Sequence, residues 1–274
     1  MSNTNLNDFY SLDWDIQYDY LLDERILNKV AKFHQSTTFT YSETDKPNLI
    51  SKDLYFWLIA HERKQTIPSV YLEEVKLIDT PLEKRNSPMN FDIEHIIPFD
   101  FFSKIVQQSF GANLDTLNLN RSYPSAGALY TINSIVYIFD HKKVEGIVQN
   151  GAYFYNAYKN SLLLIQNWDD EKLRKVRGSI SGHEFLSQIA IGYSIDIRKS
   201  IIKYRTRGYR HAFIEIGLMA QRFREVLLKY SNGEYGERCW SGFSDNSFTY
   251  LSGLNVRLSP VGLLQWFGKR VEET

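Results

Sequence analysis

Between Tyr209 and Tyr230 the apolar residues Ala212, Phe213, Ile216, Ala220, Phe223, Val226 and Leu227 recur at steps of three and four. That spacing puts them on one face of an α-helix, and such a face must be laid on another layer of structure. Strand-like segments lie upstream. Asn133–Asp140 (NSIVYIFD) is dense in β-branched and aromatic residues and reads as a strand; Ala152–Tyr155 and Leu162–Ile165 read as short strands, and Ala190–Ile197 as a buried one. Phe101–Phe110 reads as an amphipathic helix, and Gly182–Ile189 as another. Helices and strands mix without strict βαβ alternation, which predicts an α+β fold.

The N-terminal part reads as mostly helical. Ile26, Leu27, Val30 and Phe33 give Asp23–Phe33 helical spacing, and Leu54–Ala60 is a second apolar run. Pro68, Pro81 and Pro88 punctuate the segment 64–90, where extended or turn geometry is favoured before each proline. The expected organisation is an N-terminal extension over 1–80 and a main domain over 81–274.

Composition narrows the class. With 43% hydrophobic residues in 274, the chain can bury a substantial core, and 32 basic against 32 acidic residues exclude binding of nucleic acid by bulk positive charge. The charge is nevertheless uneven. Residues 1–24 carry six acids and no base, whereas 197–210 carry six bases and no acid. The single Cys239 rules out an intramolecular disulfide and a thiolate metal site, and the six histidines form no HExxH pair, so no metal is expected. Met1–Asn7 is polar and lacks the pattern of a secretion signal, and no apolar window is long enough to span a membrane; a soluble, cytoplasmic protein is expected.

Three constellations could carry chemistry. Arg121–Tyr130 (RSYPSAGALY) is a small-residue loop entering the strand at 133; Ser125, Ala126 and Gly127 leave room for close backbone approach to a ligand, and Arg121 could face an anion, although the same residues also make an ordinary turn. Lys203–Arg210 (KYRTRGYR) holds four cations and two phenols before the long helix. It is either a basic surface or a site in which the Lys203 ammonium assists Tyr204 in proton abstraction. In Arg238–Asp245 (RCWSGFSD), Trp240 and Phe243 flank Ser241-Gly242, as a flat wall for a planar heterocycle or as core aromatics. Lys84-Arg85-Asn86-Ser87 and the terminal Lys269-Arg270 are weaker candidates for phosphate contact. Gly217, disfavoured inside a helix by up to about 1 kcal/mol, predicts close packing there.

In this order the segments resemble the SagB-type branch of the flavin-dependent nitroreductase superfamily, the branch that includes McbC-like dehydrogenases of microcin-type thiazole/oxazole synthetases. The resemblance rests on KRNSPMNF at 84–91, RSYPSAGALY at 121–130, GAYFY at 151–155, KYRTRGYR at 203–210 and WSGF at 240–243, with a short FHQST element at 33–37. It covers 81–274. Two departures stand out: Thr131, Ile132 and Asn133 replace the family's P-x-E after A-L-Y, and Gly217-Leu218 replaces its Gly-His.

The resemblance implies an α+β nitroreductase-like fold and a homodimer with FMN at the subunit interface. It implies that Lys84, Arg85 and Ser87, with Arg121 and Arg270, hold the FMN phosphate. Ser125, Ala126 and Gly127 would line the ribityl chain and ring, Ser241 and Gly242 would present backbone near the flavin, and Lys203 and Tyr204 would be the catalytic pair. The implied reaction is oxidation of peptide thiazolines or oxazolines to azoles, with a cyclodehydratase and a precursor peptide as partners; the acidic stretch at 1–24 is, from its charge alone, a candidate for docking onto them. A general NAD(P)H-dependent nitro or quinone reductase and a non-catalytic assembly subunit are the alternatives.

Overall fold

A computed structural model gives the structure of residues 21–40, 51–61, 64–65, 67–82, 87–113, 120–182 and 184–271. Residues 1–40 and 87–274 form one compact unit and 41–86 a second. The second boundary falls at the end of the proline-punctuated seam. The first differs from the expected organisation, because the N-terminal helix belongs to the same unit as the residues beyond 87.

That helix, α1 (Glu24–Ser36), starts on Asp23, whose side chain accepts from the backbone N–H groups of Arg25 and Ile26. In the second unit, α2 (Lys52–His61) buries no side chain. The large unit continues with α3 (Phe99–Phe110), the short pair β1 (Ala112–Asn113) and β2 (Asn120–Arg121), β3 (Ile132–Ile138), β4 (Gly151–Asn156), β5 (Ser161–Asn167) and α4 (Asp170–Gly178). There follow β6 (Ile189–Ile195), α5 (Ile197–Tyr204), α6 (Thr206–Ser231), β7 (Tyr235–Trp240), α7 (Asp245–Leu251) and β8 (Val261–Lys269).

β3 to β8 make a six-stranded antiparallel sheet in the order β5-β4-β3-β6-β8-β7. The alternation of strand side chains produces two cores. Val136, Ile138, Ile191, Tyr193 and Phe267 face α3, α5, α6 and α1, while Ile135, Tyr137, Phe139, Leu264 and Trp266 face α4 and α7. β3 and β6 are therefore covered on both sides, which is why they read as continuous apolar runs.

Where a helix is expected over 182–189, the segment 184–188 is not helical and Ile189 opens β6. Phe185 and Leu186 pack into the second core, with the Phe185 ring 4.2 Å from that of Phe139, and Ser187 donates to the Phe267 carbonyl. Its apolar residues serve an anchored connection into β6 rather than a helical face. Gly217 also departs from expectation, since a Cβ there would meet nothing within 4 Å.

The long helix begins three residues before Tyr209 because α5 and α6 meet at a corner. Arg205 takes φ 52° and ψ −141°, and Gly208 lies so close to the Ser200 carbonyl that no side chain fits between them. The FHQST element docks α1 beside this corner: His34 Nδ1 is 3.0 Å from the Tyr209 hydroxyl, Gln35 bonds Asn246 and the Val256 carbonyl, and Arg205 pairs with Asp23 at 3.0 Å. Asp23 and Arg205, drawn from the two oppositely charged stretches, thus meet within one chain.

Burial holds the His34 imidazole below the usual histidine range. The unfolded chain then binds the proton more readily, so this contribution to stability is complete above about pH 6.5 and declines as pH falls toward the folded value. The melting temperature should fall between about pH 7.5 and 5.5 by more in the wild type than in His34→Gln. Subtracting the two profiles removes groups such as Asp245, which burial shifts up and which acts in the opposite sense.

Candidate active site

The loop before β3 is strained. Gly127, Ala128 and Tyr130 have φ of 59°, 55° and 50°, and two of these are not glycine. Such residues persist only when their surroundings hold them, and they cluster at functional sites. Here the holder is Glu215, buried on the sheet-facing side of α6 with 2% of its surface exposed. Ser125 Oγ donates to Glu215 Oε2 at 2.6 Å and accepts from the Tyr130 N–H at 2.8 Å. The Thr131 hydroxyl and the Ile132 N–H donate to the same carboxylate at 3.4 Å. Burial raises the Glu215 pKa against the pull of these donors. Ser125 is thus committed to shaping the loop.

Lys203 and Tyr204, at the end of α5, close on this loop. A Cβ on Gly127 would sit 2.7 Å from Lys203 Nζ and closer still to the Tyr204 hydroxyl, so the missing side chain makes room for both polar atoms. Lys203 Nζ is 5.4 Å from the Tyr204 ring centroid, and the His211 ring meets that of Tyr204 edge-on at 4.8 Å. His211 Nδ1 is buried and has no hydrogen-bond partner among the described residues. The Lys203–Arg210 motif therefore divides: Lys203 and Tyr204 face the loop, whereas Gly208 and Tyr209 serve packing.

Arg121 lies beside the same loop, its Nη1 donating to the Tyr123 hydroxyl at 2.7 Å and its guanidinium 5.0 Å from the Tyr130 ring centroid. Its hydrogen bond and ring contacts are with phenols, not with Ser87 or Arg270. Lys84 and Arg85 fall outside the described residues. Arg270 and Pro88, the residue after Ser87, form a second group: they meet at Gly236, where an added Cβ would sit 2.7 Å from Pro88 Cγ and 3.1 Å from Arg270 Nε. The Arg270 N–H donates to the Glu234 carbonyl at 2.9 Å, just past the end of α6. The Arg270 guanidinium packs beside Pro88 there with its Nε donating to the Tyr235 carbonyl at 3.2 Å, and a guanidinium is suited to a phosphate.

Ser241 and Gly242 follow the edge strand β7. Ser241 is exposed, and the Gly242 carbonyl accepts from the Ser181 N–H at 2.8 Å and from Trp240 Nε1 at 2.9 Å. Phe243 is core, 1% exposed, so only Trp240 is left for the aromatic wall.

Sequence reasoning passed over three residues of the first group. Glu215 stands inside the apolar stripe of the long helix, where a carboxylate must find donors. Arg198 and Lys199 belong to α5, whose start was marked by Asp196 as its cap; that side chain accepts from the Lys199 N–H at 3.0 Å. Among the described residues no three His, Cys, Asp or Glu side chains gather as metal ligands, and no helix is long and apolar enough to cross a membrane.

Replacing Glu215 by Ala should strip the loop of its acceptor and cost about 2–4 kcal/mol, with Glu215→Gln losing less. Urea denaturation of the two variants measures both.

No family model matches the chain. It is 27% identical over 187 residues to the microcin B17-processing protein McbC of Escherichia coli, covering 68% of this chain and 67% of McbC. Among solved structures it superposes on a chain of the E. coli microcin synthetase McbBCD complex with truncated pro-MccB17 bound, with a TM-score of 0.79 at 23% identity over 96% of this chain and 100% of that one. A nitroreductase-type protein from Ralstonia eutropha gives a TM-score of 0.54 at 17% identity, over 70% of this chain and 89% of the other. One from Anabaena variabilis gives 0.53 at 17%, over 86% and 51%. In sequence the chain is similar to McbC, and it shares the fold of a chain of the McbBCD complex and of the two nitroreductase-type structures.

Proposed function

We propose that the protein is an FMN-dependent dehydrogenase that oxidises thiazolines or oxazolines in a ribosomally made peptide to thiazoles or oxazoles. The observation that carries this reading is the closure of Lys203 and Tyr204 on the backbone of Gly127, in a chain otherwise similar to McbC. Ser87 and Arg270, with Lys84 and Arg85, would hold the FMN phosphate; Ser125, Ala126 and Gly127 would line its ribityl chain and ring, and Ser241 and Gly242 would offer backbone. Bound FMN would supply the two-electron acceptor that azoline oxidation requires.

The chain's own part is to place and move a proton. The Tyr204 oxygen, in its deprotonated form, takes the proton from the azoline carbon that was the residue's Cα. The Lys203 ammonium stands beside it to hold the negative charge before transfer. Gly127 keeps the space over these atoms open, and the Glu215 network keeps the loop from relaxing out of its left-handed conformation.

The assembled site draws on two copies. Tyr204 stands just before α6 and Arg270 just past its other end, and a helix of 26 residues is roughly 40 Å long. A flavin held by both groups takes them from different subunits. The exposed face of α6, with Phe213, Ile214 and Leu218 around Gly217, suits a second copy. The structure on which the chain superposes is the microcin synthetase McbBCD complex with truncated pro-MccB17 bound, which supports a cyclodehydratase and a precursor peptide as partners here. Exposed Leu72, Leu77, Ile78 and Leu82 offer apolar surface for such contacts.

The Lys203→Ala, Tyr204→Phe double variant should lose azole formation by at least about 10²-fold while still retaining FMN, read by visible absorption and by the 2 Da mass loss per ring. Full activity in that variant, or a purified protein that neither carries nor takes up FMN, would overturn the reading. Gly127→Ala should lower the rate about tenfold or more yet cost only about 1–2 kcal/mol of stability, because the added methyl meets the mobile ends of two side chains.

A further inference from the structure

We propose that His211 is a positioning residue for Tyr204, holding the phenol at the Gly127 loop through an N–H from its Nδ1 to the face of the Tyr204 ring. The inference rests on the reading of Tyr204 as the group that takes the azoline proton, and it adds a third side chain to that site.

Tyr204 is weakly anchored by its own place in the chain. It is the last residue of α5, half-buried, and Arg205 after it leaves helical geometry with φ 52° and ψ −141°. Helix ends fray, so a side chain that must present its oxygen from such an end needs support from another element. The corner supplies it. Because Gly208 lets α6 lie against the Ser200 carbonyl, the start of α6 returns past the end of α5, and His211, three residues on from Gly208, meets Tyr204. The two ring centroids are 4.8 Å apart with planes at 77°, so the edge of one ring is turned to the face of the other. Lys203 Nζ stands 5.4 Å from the same Tyr204 centroid.

A second observation concerns the imidazole itself. His211 Nδ1 is buried and has no hydrogen-bond partner among the described residues, although buried ring nitrogens are nearly always bonded. A proton on Nδ1 directed at the electron-rich face of the phenol accounts for both facts: the contact is edge-on, and the N–H has an acceptor that is neither nitrogen nor oxygen. Two other histidine–tyrosine pairs show the contrast. His34 Nδ1 lies 3.0 Å from the Tyr209 hydroxyl and His95 Nε2 2.6 Å from that of Tyr235. In those pairs the imidazole takes up the hydroxyl, whereas His211 engages the Tyr204 ring and leaves the oxygen to the substrate. A phenolate ring also carries more negative charge than a phenol, so the contact is stronger in the form that accepts the proton.

Nitrogen-15 NMR of the full-length, FMN-loaded protein labelled in histidine tests the contact without substrate. The His211 signals, assigned by their loss in His211→Phe, should show a proton on Nδ1; a bare Nδ1 would overturn the proposal. Kinetics test the role. On a peptide bearing one thiazoline, with the cyclodehydratase present, His211→Phe, which keeps a ring but no N–H, should lower kcat about three- to tenfold. His211→Leu, which removes the ring as well, should lower it about tenfold or more, with KM within about twofold in both variants. Flavin absorption and melting temperature should stay at wild-type values. In a Tyr204→Phe background, where the proton acceptor is already gone, His211→Phe should cost less than about twofold. Equal losses with and without the Tyr204 hydroxyl would make His211 a packing residue and overturn the proposal, as would an unchanged kcat in both single variants. Wild-type activity in Tyr204→Phe would instead remove the azoline-base reading, and the NMR result would still decide the contact.

Discussion

A buried carboxylate organises this molecule. Glu215 is one turn beyond Ala212 on the long helix, inside an apolar stripe, and removing its charge from water is unfavourable unless donors are supplied. They come from Ser125, Thr131 and Ile132, the residues that lead into the central strand. One side chain thereby ties the helix to the sheet and fixes a loop whose backbone would otherwise leave the left-handed region. The strained φ values of Ala128 and Tyr130 are a consequence of that tie.

Two glycines then decide what the tie can be used for. Gly208 lets α6 approach the Ser200 carbonyl on α5, closing the corner that aims the end of α5 at the loop. Gly127, at the loop's apex, leaves the space into which the Lys203 ammonium and the Tyr204 hydroxyl reach. The same absence of a side chain thus serves backbone packing at one position and a polar cluster at the other. Distance in sequence is bridged by a single helix–helix corner.

The periodic parts of this fold were legible in the residues. β3, β4, β6, α1, α3 and most of α6 follow from runs whose period matches their burial, and β5 from an apolar run, Leu162–Ile165, most of which is exposed. What escaped has a common physical origin. β8 and β7 take their strand character from pairing with each other and with β6, and α5 was hidden because its basic residues invited reading as surface. The helix expected over 182–189 failed because Phe185 and Leu186 pack as individual anchors rather than as a stripe. Gly217 was expected to be crowded, yet an added Cβ there meets nothing within 4 Å, because it lies on the exposed side of the helix beside Phe213, Ile214 and Leu218. The motifs singled out the loop and the Lys203–Tyr204 pair, which come together at Gly127, but spacing could not reveal that Arg270 stands at the opposite end of α6 from them, since that separation is a property of the helix between.

The uneven charge of the sequence also acquires a physical meaning. Of the six bases between 197 and 210, Arg205 is drawn to Asp23 and helps seat the N-terminal helix. Lys203 faces the loop, and Arg198 and Lys199 line a pocket beside it. A solvated cationic surface would scatter these side chains toward water. Here α5 turns them to its neighbours: the Lys203 ammonium reaches the Gly127 backbone, and one turn earlier the Lys199 ammonium donates to the Tyr130 carbonyl at 3.2 Å, so a single short helix holds the strained loop at both of its ends.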